Sequence, residues 1–280
     1  MKKINLLPLL LLSVLAQGQT LKERTNTLTV DYTTPATAGE NKLTLAVAFV
    51  DEKRYALVIG NTDYKYVPKL KNSANDAEDF AAELSRSNFE VIKLINATKA
   101  QMREGILKFQ KKLVDGPKDK TVGLFYYAGH GVQHEGENYL VPIEANVQYD
   151  DEISGQCLGV QKSVLRIMEN SNSRMNIVVM DACRNNPFPS AFRSTVQGLT
   201  KMEGRGSYIA FATGPGSVAS DGSGRNGLYT QELLKAMRTP GKPIEQVFKD
   251  VRSSVQRFSG GAQSPWEFSN ITGDFYFKFE

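Results

Sequence analysis

The chain has 280 residues, of which 41% are hydrophobic and 23% are charged, and its formal net charge is +4 at pH 7. This length suits one large α/β domain, and the composition excludes an intrinsically disordered chain. The positive charge falls to +2 (4 − 2) without Lys2 and Lys3. So weak a charge gives no support for nucleic acid or an anionic membrane as a partner.

Residues 1–18 have the pattern of a secretory signal peptide. Two lysines are followed by an apolar stretch over residues 4–15 and by the sequence Ala-Gln-Gly that ends at Gly18. Because the apolar stretch is too short to span a bilayer, we expect no membrane span, cleavage after Gly18 and a secreted or periplasmic bacterial protein. We interpret residues 19–53 as an N-terminal extension that ends in an edge strand or a hairpin.

Residues 54–280 alternate between short apolar runs and longer amphipathic segments. The apolar runs predict strands over residues 55–60, 89–95, 121–127, 138–143, 176–180, 207–212 and 274–279. Apolar residues at helical spacing predict helices over residues 72–86, 98–113, 159–170, 227–238 and 244–258. Strands that alternate with helices are typical of a mostly parallel sheet covered on both faces.

Residues 175–187 place a cysteine at the end of a predicted central strand. A β-branched run ends there in the polar sequence Asp-Ala-Cys-Arg-Asn, which contains Cys183. Ligands of open α/β sheets bind at the carboxyl ends of the strands. A small buried cysteine is the alternative explanation, because free cysteine is among the most buried residue types. The chain has two cysteines, so at most Cys157 and Cys183 could pair.

A second predicted strand ends in a histidine between two glycines. His130 precedes Cys183 by 53 residues (183 − 130), which is enough for a helical crossover between parallel neighbours. If the two strands are adjacent, the pair forms the nucleophile and base of covalent acyl transfer. The backbone N–H groups of Gly131 and Cys183 are then candidates for holding the oxyanion. A packed histidine at a strand end is the alternative.

Three motifs together resemble the caspase-like cysteine peptidases, the clan of caspases, metacaspases and paracaspases. They are YALVIGN over residues 55–61, YYAGHG over residues 126–131 and DACRN over residues 181–185. They are most similar to the paracaspase branch and its bacterial relatives. The resemblance implies an α/β caspase–haemoglobinase fold, with a mostly parallel six-stranded sheet and helices on both faces. It also implies that His130 and Cys183 are a catalytic dyad acting through a thioester acyl-enzyme.

The residue two positions before the cysteine departs from the caspase signature, which has Gln there. The resemblance to paracaspases and metacaspases implies instead an acidic pocket for Arg or Lys, with Asp76, Asp181 and Asp221 at the matching positions. Carboxylates in such a pocket bind a guanidinium through charge-assisted hydrogen bonds. Ordinary roles stay open for each aspartate, in a first helical turn, at a strand end and in an Asp-Gly turn.

Residues 185–206 form a long irregular connection that carries Arg193, Lys201 and Arg205. Such connections are usually functional or disordered, and the resemblance implies self-cleavage after one of these residues. A solvated loop is the alternative. Trp266 is either a core anchor or the wall of a specificity pocket.

The sequence therefore predicts a secreted endopeptidase that cleaves protein or peptide substrates after Arg or Lys. A homodimer through the closing strand, residues 274–279, is a further expectation. No metal and no cofactor are expected, because Gly131 would interrupt a helical pair of His130 and His134 and no zinc motif is present. The alternatives are a catalytically silent caspase-like binding module and another thiol hydrolase or transferase that uses the same dyad.

Overall fold

The computed structural model describes residues 3–4, 22–24, 27–29, 52–183, 186–188, 199–200, 202–214 and 224–279, with the backbone alone for Cys183 and for the residues before 52. The chain divides into two compact units, Met1–Val50 and Asp51–Glu280. In the first unit, the strands β1 (Lys3–Ile4), β2 (Lys22–Arg24) and β3 (Thr27–Thr29) form an antiparallel sheet of order β1-β3-β2.

The second unit is built on one large sheet. Its described strands are β4 (Lys53–Gly60), β5 (Phe89–Ile95), β6 (Thr121–His134), β7 (Glu137–Leu140), β8 (Leu158–Gly159), β9 (Ser173–Cys183), β10 (Ser207–Phe211) and β11 (Trp266–Ser269). Its described helices are α1 (Ser73–Arg86), α2 (Lys99–Asp115), α3 (Glu152–Gln156), α4 (Arg166–Glu169), α5 (Leu228–Met237) and α6 (Ile244–Phe258), with a π-helical turn at Gln161–Leu165 before α4.

The strands follow the order β11-β10-β9-β6-β4-β5, and all neighbours in this series are parallel except β10 and β11. The hairpin strand β7 pairs with the end of β6, and β8 pairs with β7. This arrangement confirms the predicted α/β fold, with its mostly parallel six-stranded sheet. In the described part of the chain, no helix has both the length and the apolar character needed to cross a bilayer.

Both faces of the sheet are covered, which is why its central strands are apolar throughout. In β4, Ala56 and Val58 belong to a core that also contains side chains of α1, α5 and α6. Leu57 and Ile59 belong to a second core, which contains side chains of α2 and α4. Successive residues of a strand point to opposite faces, so a strand between two helical layers buries all of them.

The predicted closing strand over residues 274–279 is wrong. Tyr276 makes a single antiparallel bridge with Pro243, and the edge of the sheet is β11. Phe275 and Phe277 are buried in the core with α6, so their alternation reflects packing and not strand pairing. The expected homodimer through residues 274–279 therefore has no described strand in that segment to pair through.

A buried ion pair lies at the amino end of β4. The Nε of Arg54 donates to Oε1 of Glu52 at 2.8 Å, and the two side chains are only 7% and 2% exposed. Arg174 on β9 also donates to Glu52, at 2.7 Å. Burial lowers the pKa of Arg54, and the charge of Glu52 opposes that shift. Glu52 thus compensates two arginines, one of them buried.

We expect Glu52→Gln to destabilise the protein by about 3–5 kcal/mol, because it removes the carboxylate that pairs with the buried guanidinium of Arg54. Urea unfolding followed by circular dichroism measures this change. Glu104→Gln is the matched control, because Glu104 pairs with Lys108 on the surface and should leave the midpoint nearly unchanged. Equal midpoints for both variants would contradict the role given to Glu52.

Candidate active site

The two predicted dyad residues lie side by side at the carboxyl end of the sheet. Strands β6 and β9 run parallel, and His130 is the register partner of Cys183. Neighbouring strands are about 4.8 Å apart, so the two backbones meet at one edge. The helical crossover between the strands is the connection that the 53-residue spacing predicted.

The imidazole of His130 has a defined protonation pattern. Its Nε2 lies 2.7 Å from the backbone oxygen of Pro68. A carbonyl oxygen only accepts hydrogen bonds, so Nε2 carries the proton and donates it. In the neutral ring, Nδ1 is then the basic nitrogen. The side chain is 7% exposed, so the ring is held largely out of water.

Two tyrosines hold the backbone at His130. The His130 N–H donates to the hydroxyl of Tyr64 at 2.8 Å, and the Tyr127 hydroxyl donates to the His130 carbonyl at 2.8 Å. The Tyr64 ring also contacts the imidazole, with centroids 4.6 Å apart. A Cβ on Gly129 would lie 2.6 Å from both hydroxyl oxygens. Glycine precedes the histidine because the tyrosine hydroxyls approach its backbone this closely.

The residue after the histidine faces the cysteine strand. The His130 carbonyl accepts from the Val141 N–H beside β7 at 3.1 Å. Successive strand residues direct their backbone groups to opposite sides, so the N–H of Gly131 is directed toward β9. A Cβ on Gly131 would lie 3.2 Å from side-chain atoms of Ala182 and Leu199. A side chain at this position would therefore need its neighbours to move.

Two of the three predicted pocket aspartates are close enough to interact. Burial, followed by the negative charge of Asp181, raises the pKa of Asp76 to about 8. Asp76 is on α1 and is 4% exposed. Its Oδ1 accepts from the Gly227 N–H at 2.9 Å, and Oδ2 of Asp181 accepts from the Thr230 hydroxyl at 2.7 Å. Two acids from separate elements thus form one acidic region beside the dyad strands, buried at Asp76 and half-buried at Asp181.

The other site residues predicted from the sequence include three that the structure does not describe. Asp221, Arg193 and Lys201 lie outside the described residues. Arg205 lies in an exposed turn before β10, where its N–H donates to Glu169 at 2.6 Å.

Trp266 lies on β11, opposite Phe211 in register. The two rings are stacked, with centroids 5.8 Å apart. Core packing accounts for this contact of the indole, and its role as a pocket wall stays a prediction.

The second cysteine has the properties of a structural residue. Cys157 is a free thiol and is 1% exposed. Burial raises its pKa to about 12, so its thiol is protonated at neutral pH. Among the residues whose side chains are described, no group of three or more His, Cys, Asp or Glu side chains is arranged to hold a metal ion.

Sequence reasoning missed the residues that hold the site together. Tyr64, Pro68 and Thr230 contact His130 or Asp181, but each lies on a different element from its partner. Tyr127 lies inside the YYAGHG motif. Within a run of apolar residues, the sequence does not show whether a tyrosine hydroxyl binds the backbone or whether its ring only packs in the core. No local spacing relates these partners, because the fold alone brings them together.

Comparison with known proteins gives an independent result. The family model of the caspase domain matches residues 53–276. The human mucosa-associated lymphoid tissue lymphoma translocation protein 1 and its mouse homologue are each 34% identical to this chain over 131 residues. The matched segment is 47% of this chain and 15% of each relative, so the chain spans only a small part of these proteins.

Proposed function

This chain belongs to the caspase domain family, and we propose that it is a caspase-like cysteine endopeptidase that cleaves after Arg or Lys. The observation that carries the proposal is the register of His130 with Cys183 beside the interacting carboxylates of Asp76 and Asp181. The first pair supplies a nucleophile and a base. The second pair supplies the negative charge that a cationic side chain needs.

In the proposed reaction, Nδ1 of His130 takes the proton of the Cys183 thiol, and the resulting thiolate attacks the carbonyl carbon of the substrate. The N–H groups of Gly131 and Cys183 donate to the oxyanion of the tetrahedral intermediate. The C–N bond then breaks, the amine leaves with a proton from His130, and a thioester remains. Water attacks the thioester while Nδ1 of His130 accepts its proton. The acid product leaves and the thiol is restored.

Turnover of fluorogenic peptides that differ only in the residue before the scissile bond tests this proposal. The residues are Arg, Lys, Asp and citrulline, in which a neutral urea replaces the guanidinium. We expect Arg and Lys peptides to be cleaved and Asp and citrulline peptides to be poor substrates, because only the cations gain from the carboxylates. A preference for Asp would overturn the acidic pocket, and no turnover of any peptide would overturn the peptidase.

The preference for Arg over citrulline is expected to rise with pH. A guanidinium binds ionised Asp76, and the pKa of this group is raised to about 8 by burial and by the charges of Asp181 and Asp79. Below this pH, binding must release a proton, so the ratio of the two kcat/KM values should rise by up to about tenfold per pH unit before it levels off. The ratio cancels the titration of the dyad. Asp76→Asn should make it independent of pH, and a flat ratio in the wild type would contradict the assignment.

Of the three candidates for self-cleavage, Arg193, Lys201 and Arg205, the described contacts oppose the last two and leave Arg193 open. Next to Lys201, Thr200 exchanges backbone hydrogen bonds with the side chain of Asn138 at 2.6 and 2.9 Å, and Met202 is 1% exposed. Proteolysis needs a segment that can leave the fold, and these contacts oppose it. The turn at Arg205 is also held in place, by the hydrogen bond that its N–H donates to the side chain of Glu169.

Intact-mass analysis of wild type beside Cys183→Ala measures self-cleavage. Two fragments that meet after residue 193, in wild type alone, would support it. A fully active single chain would show that activity does not require self-cleavage.

The same masses test the proposal that residues 1–18 are removed and that the protein is secreted or periplasmic, because a retained leader would be visible in both samples.

A further inference from the structure

The start of helix α5 binds both pocket carboxylates. Gly227, directly before the helix, donates its N–H to Oδ1 of Asp76 at 2.9 Å. One turn later, the hydroxyl of Thr230 donates to Oδ2 of Asp181 at 2.7 Å. Asp76 is on α1 and Asp181 is on β9, so a single helix end sets the positions of two acids from separate elements. The positive end of the helix dipole also favours negative charge here.

The hydrogen-bond direction at Thr230 is determined by its partners. The hydroxyl of Tyr126 lies 2.6 Å from the Thr230 hydroxyl, and both residues are fully buried. An ionised carboxylate only accepts, so the single proton of Thr230 goes to Asp181 and the proton of Tyr126 goes to Thr230. The Tyr126 hydroxyl is 3.4 Å from Asp181 itself. Thr230 is therefore the close donor in a directed chain from tyrosine to carboxylate.

The segment before α5 is anchored to α1. Arg225 forms a bidentate pair with Asp79, with Nε–Oδ2 and Nη2–Oδ1 distances of 2.8 and 3.1 Å. The side chain of Asn226 donates to the same carboxylate at 3.0 Å, and Asn75 donates to the Arg225 carbonyl at 3.2 Å. A fork-to-fork pair fixes orientation as well as distance. The end of α5 is thus held against the helix that carries Asp76.

We infer that Thr230 is a positioning residue that orients Asp181 to receive the guanidinium of the substrate, with the Arg225–Asp79 pair holding the helix end from which it acts. The inference rests on the proposed acidic pocket and adds a group that orients one of its carboxylates. When both carboxylates are ionised to bind the guanidinium, they repel one another, so each needs a donor to keep it turned into a shared site. Bidentate recognition of a guanidinium depends on such orientation more than on charge alone.

Peptide binding to the full chain carrying Cys183→Ala tests this inference without relying on turnover. Isothermal titration would compare an Arg-terminated peptide with its citrulline analogue for three additional substitutions. Thr230→Val removes the donor at nearly constant shape, and Thr230→Ser keeps the hydroxyl. Thr121→Val is the matched control, because it also removes a buried threonine hydroxyl, bonded to Pro117 at 2.9 Å, at the opposite end of β6.

We expect Thr230→Val to weaken binding of the Arg peptide by roughly tenfold to a hundredfold, since a hydrogen bond to a charged group is lost. Binding of the citrulline peptide should change by less than about twofold. Thr230→Ser should restore the Arg affinity, and Thr121→Val should leave both affinities unchanged.

Other outcomes would overturn the inference. Equal losses for both peptides, no loss with Thr230→Val, or no recovery with Thr230→Ser would each exclude a hydroxyl that orients Asp181. The same loss with Thr121→Val would show a general effect of buried threonines. If the parent protein itself binds Arg no better than citrulline, the acidic pocket of the proposed function fails, and this inference fails with it. That result differs from a failure seen only in the Thr230 variants.

Discussion

Replacing Cys183 with alanine is expected to lower peptide hydrolysis by at least about 10⁴-fold, because the proposed acyl-enzyme cannot form without the thiolate. His130→Ala should cause a loss of similar size. The register that pairs His130 with Cys183 makes the two residues one unit. The double variant should therefore be no worse than either single one, because residues that act as a unit are not additive. Initial rates with the Arg peptide measure all three.

The chain contains a natural control for each substitution. Cys157 is buried, with a pKa raised to about 12, and should tolerate alanine without loss of specific activity. His134 lies four residues after His130 in the same strand and serves as the control for the imidazole. Circular dichroism of each variant would show whether the fold persists. Equal activity in wild type and Cys183→Ala would exclude the proposed peptidase activity. Inactivity of Cys157→Ala with an intact fold would indicate that Cys157, and not Cys183, is the nucleophile.

Asp181→Asn is expected to reduce kcat/KM for the Arg peptide by about 30-fold to several thousand-fold. This range corresponds to roughly 2–5 kcal/mol for a charged group left facing a neutral partner. Asp76→Asn should act in the same direction, because both carboxylates belong to the proposed acidic pocket. The citrulline peptide should lose little. Asp115→Asn is the control, since Asp115 forms an exposed pair with Lys111 at the end of α2.

The pH dependence of the stability of Asp76→Asn distinguishes a loss of function from unfolding. Asp76 has a pKa of about 8 in the folded protein and an ordinary value near 3.8 when it is exposed. The folded state therefore holds a proton that the unfolded state releases, and this group weakens folding progressively as pH rises from about 4 to 8. Asp76→Asn removes that penalty, so its melting temperature relative to wild type should increase over this range. A variant that is inactive and also melts earlier at pH 8 would contradict the proposed buried charge.

Several features of this protein follow from local sequence alone. The apolar spacing over residues 244–258 predicts α6, and the helix has those bounds in the structure. At the start of α2, the predicted helix over residues 98–113 begins in a capping box formed by Thr98 and Gln101. Patterns of this kind are readable because each partner is within one helical turn of the other. The juxtaposition of His130 and Cys183 also followed, since adjacent parallel strands bring their carboxyl ends to one edge.

The tertiary structure alone decided what surrounds those two residues. Phe275 and Phe277 alternate like a strand but pack into a core, while β11 takes the edge of the sheet. Thr230 reaches Asp181 across 49 positions of sequence, and Gly227 reaches Asp76 across 151. Periodicity carries no information about partners this far apart, because their contact depends on how whole helices pack on the sheet. The sequence by itself determined most of the elements and the dyad edge, and the packing of α1 and α5 on that sheet determined how the two carboxylates are held.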